Sequence, residues 1–340
     1  MLRYLTAGES HGDCLTGILE GFPAGVKVRD ADIAAALKRR RLAPGRGVRQ
    51  AGETDRFSVL SGMKGQVTTG APIAVLIKNS SRTAPAPSSL PRPGHADLPG
   101  MLKLGTLDAS LVRERASARE TAARTALGVF AVRLLEELGV AVDSRVTNLG
   151  GLCGLTAASA AAELLRARGS GDTLGGEFEV TFSGLPAGLG SFEHPDRRLG
   201  ARLGAALLAI NGVKGFEIGA GFALAAMRGT EAAGFPELSG GLDGGMTNGL
   251  PLVLRCAVKP VPGLAAGTLA TDLRTFKKKL CVSKTSDTSA VFPAAVVAEH
   301  AAALELAGAL LEKFGGDSLG EIAPRVAEWR KRTEKILRRL

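Results

Sequence analysis

An α+β fold of packed sheets and helices is what this chain predicts, and three observations carry the prediction. Strand-like and helix-like segments come in sets, with a few long helices between groups of strands, instead of the strict alternation that builds a doubly wound parallel sheet. No Walker A sequence occurs and no GxGxxG lies between a strand and a helix, so the phosphate-binding turns of parallel-sheet nucleotide folds are missing. With 340 residues, 45% of them apolar and 22% charged, the chain carries enough apolar side chains for a sizeable core and shows no bias toward disorder.

Taken in order, the first strong element is Arg29 to Arg41 (RDADIAAALKRRR), a helix with Asp30 as its cap, Ile33, Ala34 and Leu37 on one face, and a basic last turn. Asn79 to Pro93 holds four of the sixteen prolines and reads as a long loop inside one domain. Ser117-Ala118-Arg119-Glu120 has the form of a capping box. Leu127, Phe130, Ala131, Leu134 and Leu138 follow it at helical spacing, up to a stop near Gly139. The free N–H groups of that helix start favour an anion or a carbonyl. Glu177 to Phe182, Lys214 to Ile218, Phe222 to Met227 and Leu252 to Val258 read as strands, while Arg197 to Ile210, Pro293 to Leu311 and Leu319 to Leu340 read as helices. Ser239 to Gly249 has five glycines in eleven residues, a backbone free to take positive φ and to approach a flat or phosphorylated ligand. No repeat is evident. A single domain over 1–340, ending in a helical segment from about 319, accounts for the pattern.

Charge and cysteine usage narrow the function classes. The net charge of +10 is concentrated in Lys38-Arg39-Arg40-Arg41 with Arg46 and Arg49, six cations in twelve residues, and in Lys277-Lys278-Lys279. The arginines surround Pro44-Gly45 and Gly47, where a bent backbone lets several guanidinium forks converge on one anion. A nucleic-acid partner fits poorly, because only 4% of residues are aromatic and no helix-turn-helix, zinc finger or RNA-binding motif is evident. Cys14, Cys153, Cys256 and Cys281 are far apart without metal-ligand spacing, so they read as reduced structural thiols and no metal is expected. No stretch has the ~18 uninterrupted apolar residues of a membrane span and the N-terminus has no leader pattern, so a cytoplasmic location is expected. Of the four histidines, His11 in GESHG and His95 in GHAD sit in Gly-flanked segments, which suggests acid–base chemistry near neutral pH.

Seven segments in this order resemble the chorismate synthase family: GESHG (8–12), PGRG (44–47), RPGHAD (92–97), RASARETAAR (115–124), INGVKGFEIGAGF (210–222), GGLDGGMTNG (240–249), and Ser286-Asp287-Thr288 before FPAAVVAEH (292–300). The resemblance runs from about Leu2 to about Ala303. It implies a β-α-β sandwich with helices in the middle and antiparallel sheets outside, assembled as a homotetramer. It also implies a lyase of the shikimate pathway that makes chorismate from 5-enolpyruvylshikimate 3-phosphate by 1,4-anti elimination of phosphate. The family needs reduced FMN (FMNH2) without net redox change, and NADPH serves some members as the source of electrons. A basic chain poor in aromatics suits such small polyanions.

Carried over residue by residue, the resemblance makes His11 the general acid toward the leaving phosphate. It puts His95 beside the reduced flavin and makes Asp287 the group that works with flavin N5 to remove the ring proton. Arg40 and Arg46 match positions associated with NADP or substrate anions, and Arg49 and Arg113 are further anion contacts. Arg115, Ala116 and Ser117 match an FMN-contacting segment. Asn211, Gly212, Gly244 and the run Lys259, Pro260, Val261, Pro262 and Gly263 match further FMN contacts. His194 and His300 match no motif and read as structural. Three positions depart from the usual pattern: Ala116 replaces Ser, Pro262-Gly263 replaces a hydroxyl pair, and Thr285 replaces Arg, with Lys284 as the nearest cation. Weaker or rearranged flavin binding is the expected result. A flavin or nicotinamide oxidoreductase, which would show net hydride transfer, is the competing reading.

Overall fold

Every second side chain is buried in Cys14–Glu20, Ile73–Lys78, Gly176–Ser183 and Leu252–Val258, so each of these strands offers one face to a core and one outward. The computed structural model describes residues 1–47, 52–83, 85–283 and 287–337, and within them these strands belong to two antiparallel sheets. The first sheet contains β1 (Arg3–Gly8), β2 (Cys14–Glu20), β3 (Phe57–Ser61) and β4 (Ile73–Lys78) in the order β1-β2-β4-β3. The second contains β5 (Ala141–Leu149), β6 (Gly176–Ser183), β7 (Val213–Ile218) and β8 (Leu252–Val258) in the order β5-β6-β8-β7, with the short strand Leu152–Cys153 added outside β5.

Helices of seven residues or more are α1 (Asp30–Arg41), α2 (Asp97–Leu104), α3 (Ser110–Ala116), α4 (Thr121–Glu137), α5 (Ala157–Gly169), α6 (Leu199–Leu208), α7 (Val291–Phe314) and α8 (Leu319–Leu337). The long helices α4 and α7 pack on each other in the middle. On the outer side α4 lies on β2 and β4, while α7 lies on β5 and β6, with α1 and α6 completing the helical layers. This is the sandwich that the resemblance implies. Its core is the cluster of Leu, Val, Ile, Phe and Ala side chains between the two sheets. The close approach of α4 and α7 depends on Gly128, where an added Cβ would stand 2.4 Å from Cβ of His300 and 2.7 Å from its carbonyl oxygen. Helix α7 is long and apolar enough to cross a membrane, but 89% of its most apolar window is buried inside the protein. It is the central core helix.

The two halves share one path. In each, a helix (α1, α6) joins the second strand to the third, the fourth strand is inserted between the second and third, every pairing is antiparallel, and a central helix (α4, α7) closes the half; α5 is added between β5 and β6, and α2 and α3 before α4. The third strand of each half also carries a register shift against the fourth, at Val59/Ser61 and at Val213/Gly215. No sequence repeat reveals this, because the halves share a burial pattern and not residue identities.

Local details differ from expectation in four places. Helix α1 starts one residue early: Arg29 is its N-cap and Asp32 reaches back to accept the Arg29 backbone N–H at 3.0 Å, so Asp30 is a first-turn acid. Ser117 caps a 3₁₀ turn, Ala118–Glu120, by accepting the Arg119 N–H, and α4 follows at Thr121. Gly221–Ala226 forms 3₁₀ turns where a strand is expected, because its apolar residues face no neighbouring strand. The glycine-rich segment is a tight hairpin, Leu242–Asp243 against Met246–Thr247, with Gly244 and Gly245 at φ 59° and 93° in the turn that such two-residue connections need.

Candidate active site

A cavity of about 720 Å³ opens at the seam between the two halves. Its walls come from the loop after β1, the loop before α2, the α3–α4 junction, the α6–β7 turn, the segment after β8 and the first turns of α7. Both central helices therefore begin at the cavity, and the partial positive charge at their N-termini favours anions there. Arg46, Arg92, Arg113, Lys214 and Lys259 add cationic side chains to the lining. Opposite in character, Leu208, Ile210, Val213, Ala294 and Val297 form an apolar wall.

Two histidine–carboxylate pairs stand in this cavity. His11 Nδ1 is 2.7 Å from Glu114 Oε1, and the His11 backbone N–H donates to Glu114 Oε2 at 2.7 Å. The Ser10 N–H donates to the Glu114 carbonyl at 3.1 Å, so the last turn of α3 grips the whole GESHG loop. His95 Nδ1 is 2.6 Å from Oδ1 of Asp97, the fully buried first residue of α2. Asp97 also accepts from Arg92 N and Nε and from Arg113 Nε at 2.9 to 3.0 Å. Burial would raise its pKa, but the hydrogen bonds from His95 and Arg92 outweigh that and hold the carboxyl well below the usual carboxylate range. Asp287 is the third acidic group. Its Oδ2 is 2.5 Å from Arg46 Nη1 and its Oδ1 accepts the Gly47 N–H at 2.7 Å.

The lining takes in His11, His95, Asp287, Arg46, Arg113, Ala116, Ser117, Asn211, Gly212 and the run Lys259 to Gly263. Besides Arg46 on Asp287, contacts that tie the halves together at the cavity include Asn211 Nδ2 donating to the Ala116 carbonyl at 3.1 Å and Lys259 Nζ donating to the Gly94 carbonyl. Three expected site residues stand elsewhere. Arg40 is buried beneath the wall, where its Nε donates to Thr121 Oγ1 at 2.9 Å and its Nη2 to the Ala118 carbonyl at 3.0 Å. Burial and the neighbouring Arg46 push its pKa down to about 9, which leaves it charged at neutral pH, and Nη1 has no hydrogen-bond partner among the described residues. Arg115 is committed to the end of β1, bonding the carbonyls of Gly8 and Thr6. Gly244 sits in its hairpin turn, outside the lining.

Arg49, Thr285 and Lys284 lie outside the described residues. The arginine cluster does not converge on one anion, because Arg39 pairs with the buried Glu299 and Arg40 is spent inside. His300 is buried with Nδ1 on the Val296 carbonyl at 2.7 Å, and His194 caps a 3₁₀ turn outside the cavity. Glu114, Asp97, Arg92 and Lys214 are site residues that sequence reasoning passed over. A carboxylate within a run of arginines, as in Arg113-Glu114-Arg115, was the signal available for Glu114.

A deep cavity that combines two histidine–carboxylate pairs, a further carboxylate and a lining of cations defines an enzyme site. The chorismate synthase family model matches residues 2–311. Chorismate synthase of Moorella thermoacetica (strain ATCC 39073 / JCM 9320) is 44% identical over 383 aligned positions, covering 99% of this chain and all of the relative. That of Mycobacterium leprae (strain Br4923) is 44% identical, covering 97% of this chain and 95% of its own length. A chorismate synthase crystal structure superimposes with a TM-score of 0.78 at 32% identity, covering 97% of this chain and 98% of that one. The chain belongs to the chorismate synthase family.

Proposed function

We propose that the chain converts 5-enolpyruvylshikimate 3-phosphate to chorismate and inorganic phosphate by 1,4-elimination, the reaction of its family. The observation that carries this reading is the juxtaposition, in one cationic cavity, of His11 on Glu114, His95 on Asp97 and Asp287 on Arg46. The substrate has two carboxylates and a phosphate, and Arg46, Arg92, Arg113, Lys214 and Lys259 supply charge-assisted donors for them.

The elimination removes a ring proton and expels phosphate, and the C–H electron pair becomes part of the new diene. His11 acts as general acid: with Nδ1 on Glu114, proton transfer to the departing phosphate oxygen runs through Nε2. Asp287 takes the ring proton. Arg46 holds its carboxylate in place until a substrate anion competes for the guanidinium. His95, fixed by Asp97, holds a proton at the cofactor side of the cavity.

Reduced FMN, when bound, supplies electron density that helps the C–O bond break. The residues present fit a flavin. The cavity lies within the ~300–1,000 Å³ usual for ligand sites and has an apolar wall of Leu208, Ile210, Val213, Ala294 and Val297 for a flat ring system to face. Ala116, Ser117, Asn211, Gly212 and Lys259 to Gly263 would hold it, with Lys259 as a cation in the lining for an anionic tail. Assembly as a homotetramer in the cytoplasm belongs to the same reading. Leu5 and Ile18, directly opposed across β1 and β2 and 66% and 46% exposed on the outer face of the first sheet, offer an apolar patch to a second copy.

Anaerobic turnover of the shikimate phosphate with catalytic FMN and dithionite tests the function. Chorismate and phosphate should form in equal amounts with no consumption of flavin, and stoichiometric hydride transfer to or from the substrate would refute it. With NADPH in place of dithionite, chorismate formation would assign flavin reduction to the chain itself.

A further inference from the structure

We infer that Glu114 sets the tautomer and orientation of the His11 imidazole, keeping a hydrogen on Nδ1 and leaving Nε2 to exchange a proton with the cavity. The inference rests on the reading of His11 as the general acid, but its geometry stands independently. One carboxylate engages two different groups of the same residue: Oε2 accepts the His11 backbone N–H and Oε1 faces Nδ1, both at 2.7 Å. An ionised carboxylate only accepts hydrogen bonds, so with Glu114 on Nδ1 that nitrogen carries the hydrogen and Nε2 is the one that exchanges a proton with a ligand. When Nε2 passes its proton to the phosphate oxygen, the imidazolium becomes the neutral Nδ1–H ring, and that N–H is already bonded to Glu114. The carboxylate thereby stabilises the ring before and after transfer without becoming protonated, the role of the buried aspartate in a hydrolase triad.

The loop carrying His11 is held separately. Asn79 Nδ2 donates to the carbonyls of Glu9 and Gly12 at 2.9 and 2.8 Å, and the Asn79 N–H donates to the Asp13 carbonyl at 3.2 Å, so it clamps the backbone on both sides of His11. Asn79 is itself held by Nε of the buried Arg119, which is paired with Asp55 and Glu53. A change at Glu114 therefore acts on the ring and leaves this loop anchor in place.

Glu114→Gln makes the sharpest test. The His11 backbone N–H still requires an acceptor, so the amide oxygen takes the Oε2 position and its NH2 faces Nδ1. The ring must then accept at Nδ1 and carry its hydrogen on Nε2, the reverse of the wild type. With only four histidines in the chain, ¹⁵N-histidine labelling of the full-length protein reads this directly. The expected result is an Nδ1–H tautomer for His11 in the wild type and an Nε2–H tautomer in Glu114→Gln, with the spectra of the other three histidines unchanged and thermal unfolding preserved. Turnover under reduced flavin should show kcat lowered about 10²-fold with KM within about twofold, and His11→Gln combined with Glu114→Gln should be no slower than His11→Gln alone. Glu114→Asp, which keeps an acceptor-only group, should keep the Nδ1–H tautomer. An unchanged His11 tautomer in Glu114→Gln would overturn the inference. A reversed tautomer with undiminished kcat would uphold the orienting role of Glu114 and refute the acid role of His11.

Discussion

At the scale of single residues the cavity is organised by carboxylates that point at histidines. Asp97 is the clearest case, because it is buried and joins His95, Arg92 and Arg113. Asp97→Asn removes the charge while keeping the shape, and should lower unfolding free energy by about 1.5–3 kcal/mol in a denaturant titration, the range for hydrogen bonds to a charged group. Its folded pKa is depressed, so its contribution is present above the ordinary value of 3.8 and is lost as pH falls below it. His300 acts in the same direction at milder pH. Burial lowers its pKa from 6.5, the unfolded chain binds the proton first, and stability falls as pH drops below that value. Stability curves should decline in two stages on acidification, and His300→Gln should remove the upper one; a single decline below pH 4 in the wild type would contradict this.

At the scale of elements, the contact between α4 and α7 decides where the cavity walls stand, since Ser117, Thr121, Pro293 and Val297 all lie at or near the starts of these helices. Gly128 permits that contact. Gly128→Ala would drive a methyl group against the His300 backbone and Cβ, none of which is the far end of a flexible side chain. The helices must separate, at a cost of about 1–3 kcal/mol, typical of overpacking in a dense core. Thermal unfolding should show the loss, and substrate KM should rise as the wall shifts; a variant of unchanged melting temperature would refute the packing argument.

At the scale of the whole molecule, two halves of one topology face each other through their helices, and the site is assembled from both. Asn211 on Ala116 and Lys259 on Gly94 cross that seam. The outer face of the first sheet is open, with Leu5 opposite Ile18. Changing both to Glu puts like charges directly opposite each other on that face, so light scattering should show a smaller assembly than the wild type while circular dichroism is retained. Wild-type protein of monomer mass would remove the proposed homotetramer.

Much of this protein is legible in its chain. Helical spacing in Leu127 to Leu138, alternation in Glu177 to Phe182 and Leu252 to Val258, and the Gly-flanked His11 and His95 are local signals, because burial periodicity and turn chemistry act over a few residues. The ordered motifs around those histidines and Asp287 identify the family. What the chain leaves open are the long-range pairings. Six cations between Lys38 and Arg49 look like one anion trap, yet Arg39 goes to Glu299 and Arg40 to Thr121, while the cavity takes Arg92, Arg113, Lys214 and Lys259 from distant segments. Glu114 meets His11 across 103 positions. A charged side chain is satisfied by whatever packing brings within ~4 Å of it, and only the tertiary structure decides that neighbour.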